Sequence, residues 1–180
     1  MKVQLYSYKI KLVELSTNIG LEGVIIKDLN NYILREIGTL SRCIHSICDI
    51  KFKELNIQKG QFIFLTRICE NPGINLVDLS TLLKVDKTTT TKAVQKLIAE
   101  NFIYKERDAE DKRVWRLYPK DKALIAYDEI IEEENKNINI CFNKFSEEEK
   151  NTVYELVKKM SENIEDHWKE TKNLRSDLND

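Results

Sequence analysis

From residue 28 onward, apolar side chains recur at Leu29, Ile33, Ile37, Leu40, Ile44 and Ile47, at intervals of four, four, three, four and three. That spacing keeps side chains on one face of an α-helix. It predicts a long amphipathic helix, capped by Asp28 and running to about Leu55. A second helical run, Gln58 to Glu70, turns Phe62, Leu65 and Ile68 or Cys69 inward, and Asn71-Pro72-Gly73 ends it. Ahead of both, Leu5, Tyr6, Tyr8, Ile10, Leu12 and Val13 alternate only in part, which favours a short strand or an irregular arm before Gly20 and Gly23 interrupt the chain.

The middle of the chain is cut into shorter pieces. Asn75 can cap a helix bearing Leu76, Leu79, Leu82 and Leu83, and Asp86 can cap the next, Lys87 to Asn101, with Thr90, Val94, Leu97 and Ile98 as its inner face. Two β-prone runs, Phe102 to Arg107 and Arg113 to Tyr118, flank a polar tip and read as a hairpin. Helix, helix and hairpin in that order is the winged helix-turn-helix plan. Beyond Pro119 the helical period returns through Leu124, Tyr127, Ile130, Ile131, Ile138, Cys141, Phe142 and Phe145. Ser146 with Glu149 forms a capping box, opening a last helix through Val153, Leu156, Val157, Met160, Ile164 and Trp168.

The fold class expected is therefore mainly α with a small β-hairpin wing, a winged helix-turn-helix with a helical dimerisation region. Its segments are an N-terminal extension (1–27), a dimerisation helix (28–57), a winged helix-turn-helix lobe (58–121) and C-terminal dimerisation helices (122–180). The terminal helices carry more apolar positions than a small winged-helix core covers, and a two-fold interface is the natural outlet.

Composition narrows the function. The 180 residues are 42% hydrophobic and 33% charged with only 5 Gly and 2 Pro, which describes a helix-rich globule. The net charge of −1 hides an uneven distribution: residues 84–122 carry 11 basic and 7 acidic side chains, residues 123–180 carry 8 and 15. A basic middle of this kind suits nucleic acid despite the near-neutral total. No apolar run approaches the roughly 20 residues that span a bilayer. The start, Met1 to Ser7, is too polar for a signal peptide, so a cytoplasmic protein with no membrane partner is expected.

Cys43, Cys48, Cys69 and Cys141 lack paired short spacing, and reduced thiols are the default. Cys43, His45 and Cys48 do not make a metal site unaided, because on a helix the two cysteines point about 140° apart. No metal or cofactor is expected. His45 and His167 are the only histidines, no nucleophile-elbow or phosphate-loop motif occurs, and the runs Glu132 to Glu134 and Glu147 to Glu149 splay around their helices. An enzyme is not expected.

The tip Asp111-Lys112-Arg113, preceded by Arg107-Asp108-Ala109-Glu110, resembles the Asp, any residue, Arg wing motif of the MarR family. These are dimeric winged-helix bacterial regulators that bind pseudo-palindromic operators and often respond to small phenolic ligands or oxidants. Leu97 to Ile103 is similar to the family's run of Leu, polar residues, Gly, Leu and Val, with Asn101 in place of the Gly; Asn tolerates the left-handed conformation that a helix end requires. The resemblance spans roughly residues 28–170. The family's Thr and Gly after the second strand are absent from Leu117 to Asp121. Some members sense peroxide through a first-helix cysteine; that position falls near Leu34 here, about two and a half turns from Cys43, so the resemblance does not carry the role.

The candidate site follows. Each of Thr88, Thr89, Thr90 and Thr91 costs up to roughly 0.7 kcal/mol against Ala within a helix, so the run points to packing or binding. Thr89, Lys92 and Lys96 share one face, with Lys87 at the helix start. The resemblance implies that Thr88, Thr89 and Lys92 meet bases. In the wing, Arg113 is expected in the minor groove, Asp111 pairs with an arginine to hold the tip, and Lys105 and Lys112 meet phosphates. The competing reading is an ordinary solvated surface. The resemblance also implies a small aromatic effector, for which Phe62, Phe64, Trp115 and Tyr127 are the candidate lining. The function expected is a homodimeric regulator, a repressor, acting on double-stranded DNA and released by a small molecule or oxidant. The alternative is a winged-helix module for protein contacts.

Overall fold

The computed structural model describes residues 29–177, with side chains as far as residue 172. The N-terminal arm and the Asp28 cap therefore lie outside the described residues. Two compact units meet in sequence at Arg42 and Cys43.

Helix α1 spans Ile33–Lys51. It begins later than the apolar period suggests, because the Asn31 side chain accepts from the Ile33 amide at 2.9 Å. It also ends before Leu55. The Phe52 carbonyl accepts from both the Leu55 and Ile57 amides, the chain turns through Asn56 at φ 58°, and Phe52 and Ile57 are buried. Helix α2, Phe62–Glu70, likewise starts after the expected Gln58. Gly60 sits at φ +70°, which breaks the helical run. Phe62, Leu65 and Ile68 face inward as the period requires, joined by Phe64.

Helices α3, Leu76–Leu82, and α4, Lys87–Ala99, are both capped as expected. Asn75 accepts from the Val77 and Asp78 amides, each at 2.9 Å. Between them Lys84 turns the chain at φ 54°. Asn101, at φ 60°, ends α4 in the left-handed conformation that its side chain tolerates. Strands β1, Ile103–Arg107, and β2, Trp115–Pro119, pair antiparallel from Ile103 opposite Pro119 to Arg107 opposite Trp115. The hairpin is tied back to the α2–α3 loop: the Gly73 amide donates to Leu117 at 2.7 Å and the Leu117 amide to Ile74 at 3.0 Å. Gly73 is at φ +90°, and a Cβ there would meet the Tyr118 hydroxyl at 3.4 Å and its ring at 3.5 Å.

One core serves this lobe. Leu65, Ile68, Leu79, Leu97, Phe102, Ile103, Leu117 and Ile130 are fully buried, drawn from every element between α2 and α5. Each such side chain contributes roughly 1.5–3 kcal/mol by leaving water.

Helix α5 spans Asp121–Cys141, and α6 spans Glu147–Asp177. The capping box forms in both directions: the Ser146 amide donates to Glu149 at 2.7 Å and the Glu149 amide to Ser146 Oγ at 3.2 Å. Helix α5 buries Ala123, Ala126, Ile130 and Asn137, whereas Leu124, Ile125, Ile138 and Ile140 stay exposed. In α6 no side chain from residue 147 to 172 is buried. Its far end does touch the turn before α4. Glu165 pairs with Lys84 at 2.7 Å, Lys84 and Lys172 lie 5.3 and 4.7 Å from the Trp168 ring centre, and Lys172 donates to the Val85 carbonyl at 3.5 Å. Among the described residues no helix is long and apolar enough to cross a membrane.

Candidate nucleic-acid interface

Helix α4 has two unlike faces. Thr90, Ala93, Val94 and Leu97 are buried, while Lys87, Thr88, Thr89, Lys92 and Lys96 are exposed. The threonine run is held in the helix by its own hydroxyls, since Thr90 Oγ1 donates to the Asp86 carbonyl at 3.0 Å and Thr91 Oγ1 to the Lys87 carbonyl at 2.8 Å. Asp86 caps the helix by accepting from the Thr89 amide at 2.8 Å and the Thr89 hydroxyl at 2.6 Å. These bonds, the hydroxyl first, hold the Asp86 carboxyl below its ordinary pKa. Of the four hydroxyls, only that of Thr88 is without a partner among the described residues. Lys96 donates to Gln58 Oε1 at 2.9 Å, so its ammonium is tied to the loop before α2.

The hairpin tip, residues 108–114, is built on Asp108. One carboxylate oxygen accepts from the Glu110 and Asp111 amides, both at 2.9 Å, and the other takes Arg116 Nε at 2.6 Å. The Asp111 amide first, then Arg116, depress its pKa to about 2. Asp111 grips Arg113 through the backbone amide at 3.0 Å and Nε at 3.1 Å, and that contact lowers its own pKa. The arginine side chain is nevertheless 92% exposed. Lys112 Nζ donates to the Asp108 carbonyl at 3.0 Å, and Arg107 donates to the Lys112 carbonyl.

The geometry thus joins Asp111, Lys112 and Arg113 at one tip. Lys105 instead lies beside Arg107 on Trp115, at 4.5 and 4.0 Å from the ring centre. Sequence reasoning missed Asp108 and Arg116. Their pairing depends on the hairpin register, which sets Arg116 opposite Glu106 and so within reach of Asp108 at the tip.

A model of the MarR family matches residues 57–115. The uncharacterized HTH-type transcriptional regulator YybA of Bacillus subtilis is 38% identical over 142 residues, covering 79% of this chain and 95% of its own. The chain belongs to the MarR family. Solved MarR structures share the fold over most of the chain. A MarR protein from Peptoclostridium difficile is 59% identical with a TM-score of 0.77, covering 83% of this chain and 98% of its own. A MarR family transcriptional regulator from Listeria monocytogenes, solved with 26mer DNA, is 39% identical with a TM-score of 0.77, covering 82% and 96%. This MarR chain is accordingly an HTH-type transcriptional regulator.

The candidate effector residues of this MarR protein occupy different settings. Phe62 and Phe64 are core side chains, and Phe62 packs on His45 and Phe52 with ring centres 5.6 and 5.4 Å apart. Trp115 lies under its two cations on the wing, and Tyr127 donates to Glu70 at 3.4 Å. A mainly apolar recess of about 300 Å³ is lined instead by Leu55, Phe102, Lys122, Ile125 and Ala126. Cys43 and Cys141 are exposed. Cys48 is buried beside Asn137, and Cys69 donates to the Ala123 carbonyl at 3.8 Å. Burial, aided by Glu134 and Glu133, pushes the Cys48 thiol up to about 11; burial and Glu70 do the same for Cys69. No His, Cys, Asp and Glu group among the described residues could hold a metal.

Proposed function

We propose that this regulator binds operator DNA as a homodimer, with α4 in the major groove and the wing tip on the adjacent minor groove. The observation that carries the reading is the outer face of α4. Lys87, Thr88 and Lys92 are exposed at its N-terminal end, where the helix dipole also favours phosphate, while the opposite face anchors in the core. Arg113, offered at the tip with its guanidinium oriented by Asp111, suits a narrow minor groove, and Lys112 and Lys105 suit phosphates. The Listeria relative bound to DNA supports the same reading.

Dimerisation rests on α5 and α6. An α-helix of 31 residues with no buried side chain as far as residue 172 gains little from burial within its own chain, which favours a partner outside it. Val153, Leu156, Val157 and Ile164 recur along it at intervals of three, one and seven, and a second copy is the partner that covers them. Two copies give a pseudo-palindromic operator, and occupancy of a promoter by such a dimer represses it. An effector of aromatic and anionic character fits the recess at Leu55, Phe102 and Lys122 better than the dispersed residues Phe62, Phe64, Trp115 and Tyr127.

Selection of bound sites from random duplex DNA tests this. An enriched inverted repeat whose affinity falls steeply with salt is expected. Enrichment of nothing, with salt-insensitive capture of a protein, moves the function to the protein-contact module.

A further inference from the structure

The tip of the wing and the entrance to the helix-turn-helix are separate pieces of chain, and one side chain bonds both. Arg116 leaves β2 opposite Glu106. Its Nε reaches Asp108 at 2.6 Å, and its Nη1 reaches the Gly73 carbonyl at 3.3 Å, 43 residues away in sequence. Its backbone also bridges Asn75, the residue that caps α3. We propose that Arg116 is a positioning residue of the DNA-reading surface, fixing the wing tip, and with it Arg113, relative to α3 and α4. The inference rests on the DNA-binding reading above and adds a residue that touches no DNA itself.

The links can be followed one by one. Gly73 holds Arg116, Arg116 holds one oxygen of Asp108, the other oxygen of Asp108 holds the Glu110 and Asp111 amides, and Asp111 holds Arg113. The inner pair is more sheltered than the outermost residue. The Asp108 and Arg116 side chains are 16% and 36% exposed, whereas Arg113 is 92% exposed. The outermost cation, though held by Asp111, is exposed to meet DNA, and the inner pair is occupied with the protein. A lone ion pair this close to solvent adds little to stability, so its effect is on geometry. A guanidinium suits the role because its planar fork donates in two directions at once, which an ammonium on a flexible stem does not reproduce. Groove-width reading requires such support, since a contact misplaced by an ångström loses most of its value.

The test titrates wild type, Arg116→Gln, Arg116→Lys and Asp108→Asn against the selected operator and a copy with its A·T flank replaced by G·C, at several salt concentrations. Arg116→Gln and Asp108→Asn should lose on the order of tenfold in operator affinity. Both should also lose the preference for the A·T flank while keeping the wild-type salt slope, because no phosphate contact is removed. Arg116→Lys should fall between. Without DNA, exchange of the Glu110 and Asp111 amide hydrogens should quicken in all three variants. Unchanged flank preference and exchange overturn the proposal. So does a salt slope shallower by about 0.9, which would make Arg116 a phosphate ligand. A wild type that binds no duplex at all defeats the DNA reading itself, a separate result.

Discussion

Asp86 and Thr89 are joined twice: the carboxylate accepts the threonine's amide at 2.8 Å and its hydroxyl at 2.6 Å. The hydroxyl of Thr89 is thereby used inside the protein at the point where α4 begins. Thr88, its neighbour, has no hydroxyl partner among the described residues, and the proposed DNA contact gives it one.

Thr88→Val should therefore weaken operator binding and leave the melting temperature within about a degree or two of wild type, as exposed substitutions commonly do. Thr89→Val should lower the melting temperature by loosening the cap. Thermal denaturation and DNA titration of both variants decide it, and equal effects of the two would contradict the division of labour.

Lys92→Ala and Arg113→Ala should differ in kind. Loss of Lys92 should relax preference at particular operator positions, by about 1–3 kcal/mol of discrimination if it contacts a base. Loss of Arg113 should weaken binding most where the flanks are A·T-rich. Titration against the operator, a mutated operator and random duplex separates these outcomes from the uniform loss that a phosphate contact gives.

Alkaline pH should destabilise the lobe through Cys48 and Cys69. Both thiols are raised from 9.0 to about 11, so the folded state holds its protons more tightly than the unfolded chain. The resulting stability is complete below about pH 9 and disappears as pH rises towards 11. Urea titrations at pH 8, 9.5 and 11 should reveal this component in wild type, and a Cys48→Ala, Cys69→Ala variant should lack it. At pH 8 neither thiol should react with an alkylating reagent until the protein unfolds.

Leu156→Lys and Val157→Lys should yield a monomer in light scattering with the core of the lobe intact. Persistence of the dimer in both would place the two-fold interface elsewhere.

Asn101 gives a check on the backbone. At φ 60°, Asn101→Gly should stay within about 0.5 kcal/mol of wild type. Asn101→Val should cost about 1–2 kcal/mol, because a β-branched residue resists the left-handed region. Chemical denaturation measures both.

The sequence made some of this legible and some not. Capping residues act over three positions, so Asn75, Asp86 and the Ser146 and Glu149 pair could be read directly. Apolar periodicity exposed every helix yet misplaced the ends of α1 and α2, where the turns at Asn56 and Gly60 depend on packing around Phe52 and Ile57. It also could not tell which apolar positions are buried within the chain: Leu124, Ile130 and Ile138 fall in one apolar series, yet Ile130 is buried and the other two are exposed. Arg116 escaped notice because its partners, Asp108 and Gly73, are brought to it by hairpin register and a loop return that no local pattern encodes.

Helix α6 is continuous from its apolar stretch to the turn before α4. Val153 and Trp168 are about 22 Å apart along its axis at the usual rise per residue. No glycine or proline interrupts that span to act as a hinge. A rod of this kind turns a small tilt at one end into a larger sideways travel at the other. In the proposed dimer, the angle at which a second copy meets the apolar stretch would be carried along this rod to its contacts with Lys84 and Val85, in the turn between α3 and α4.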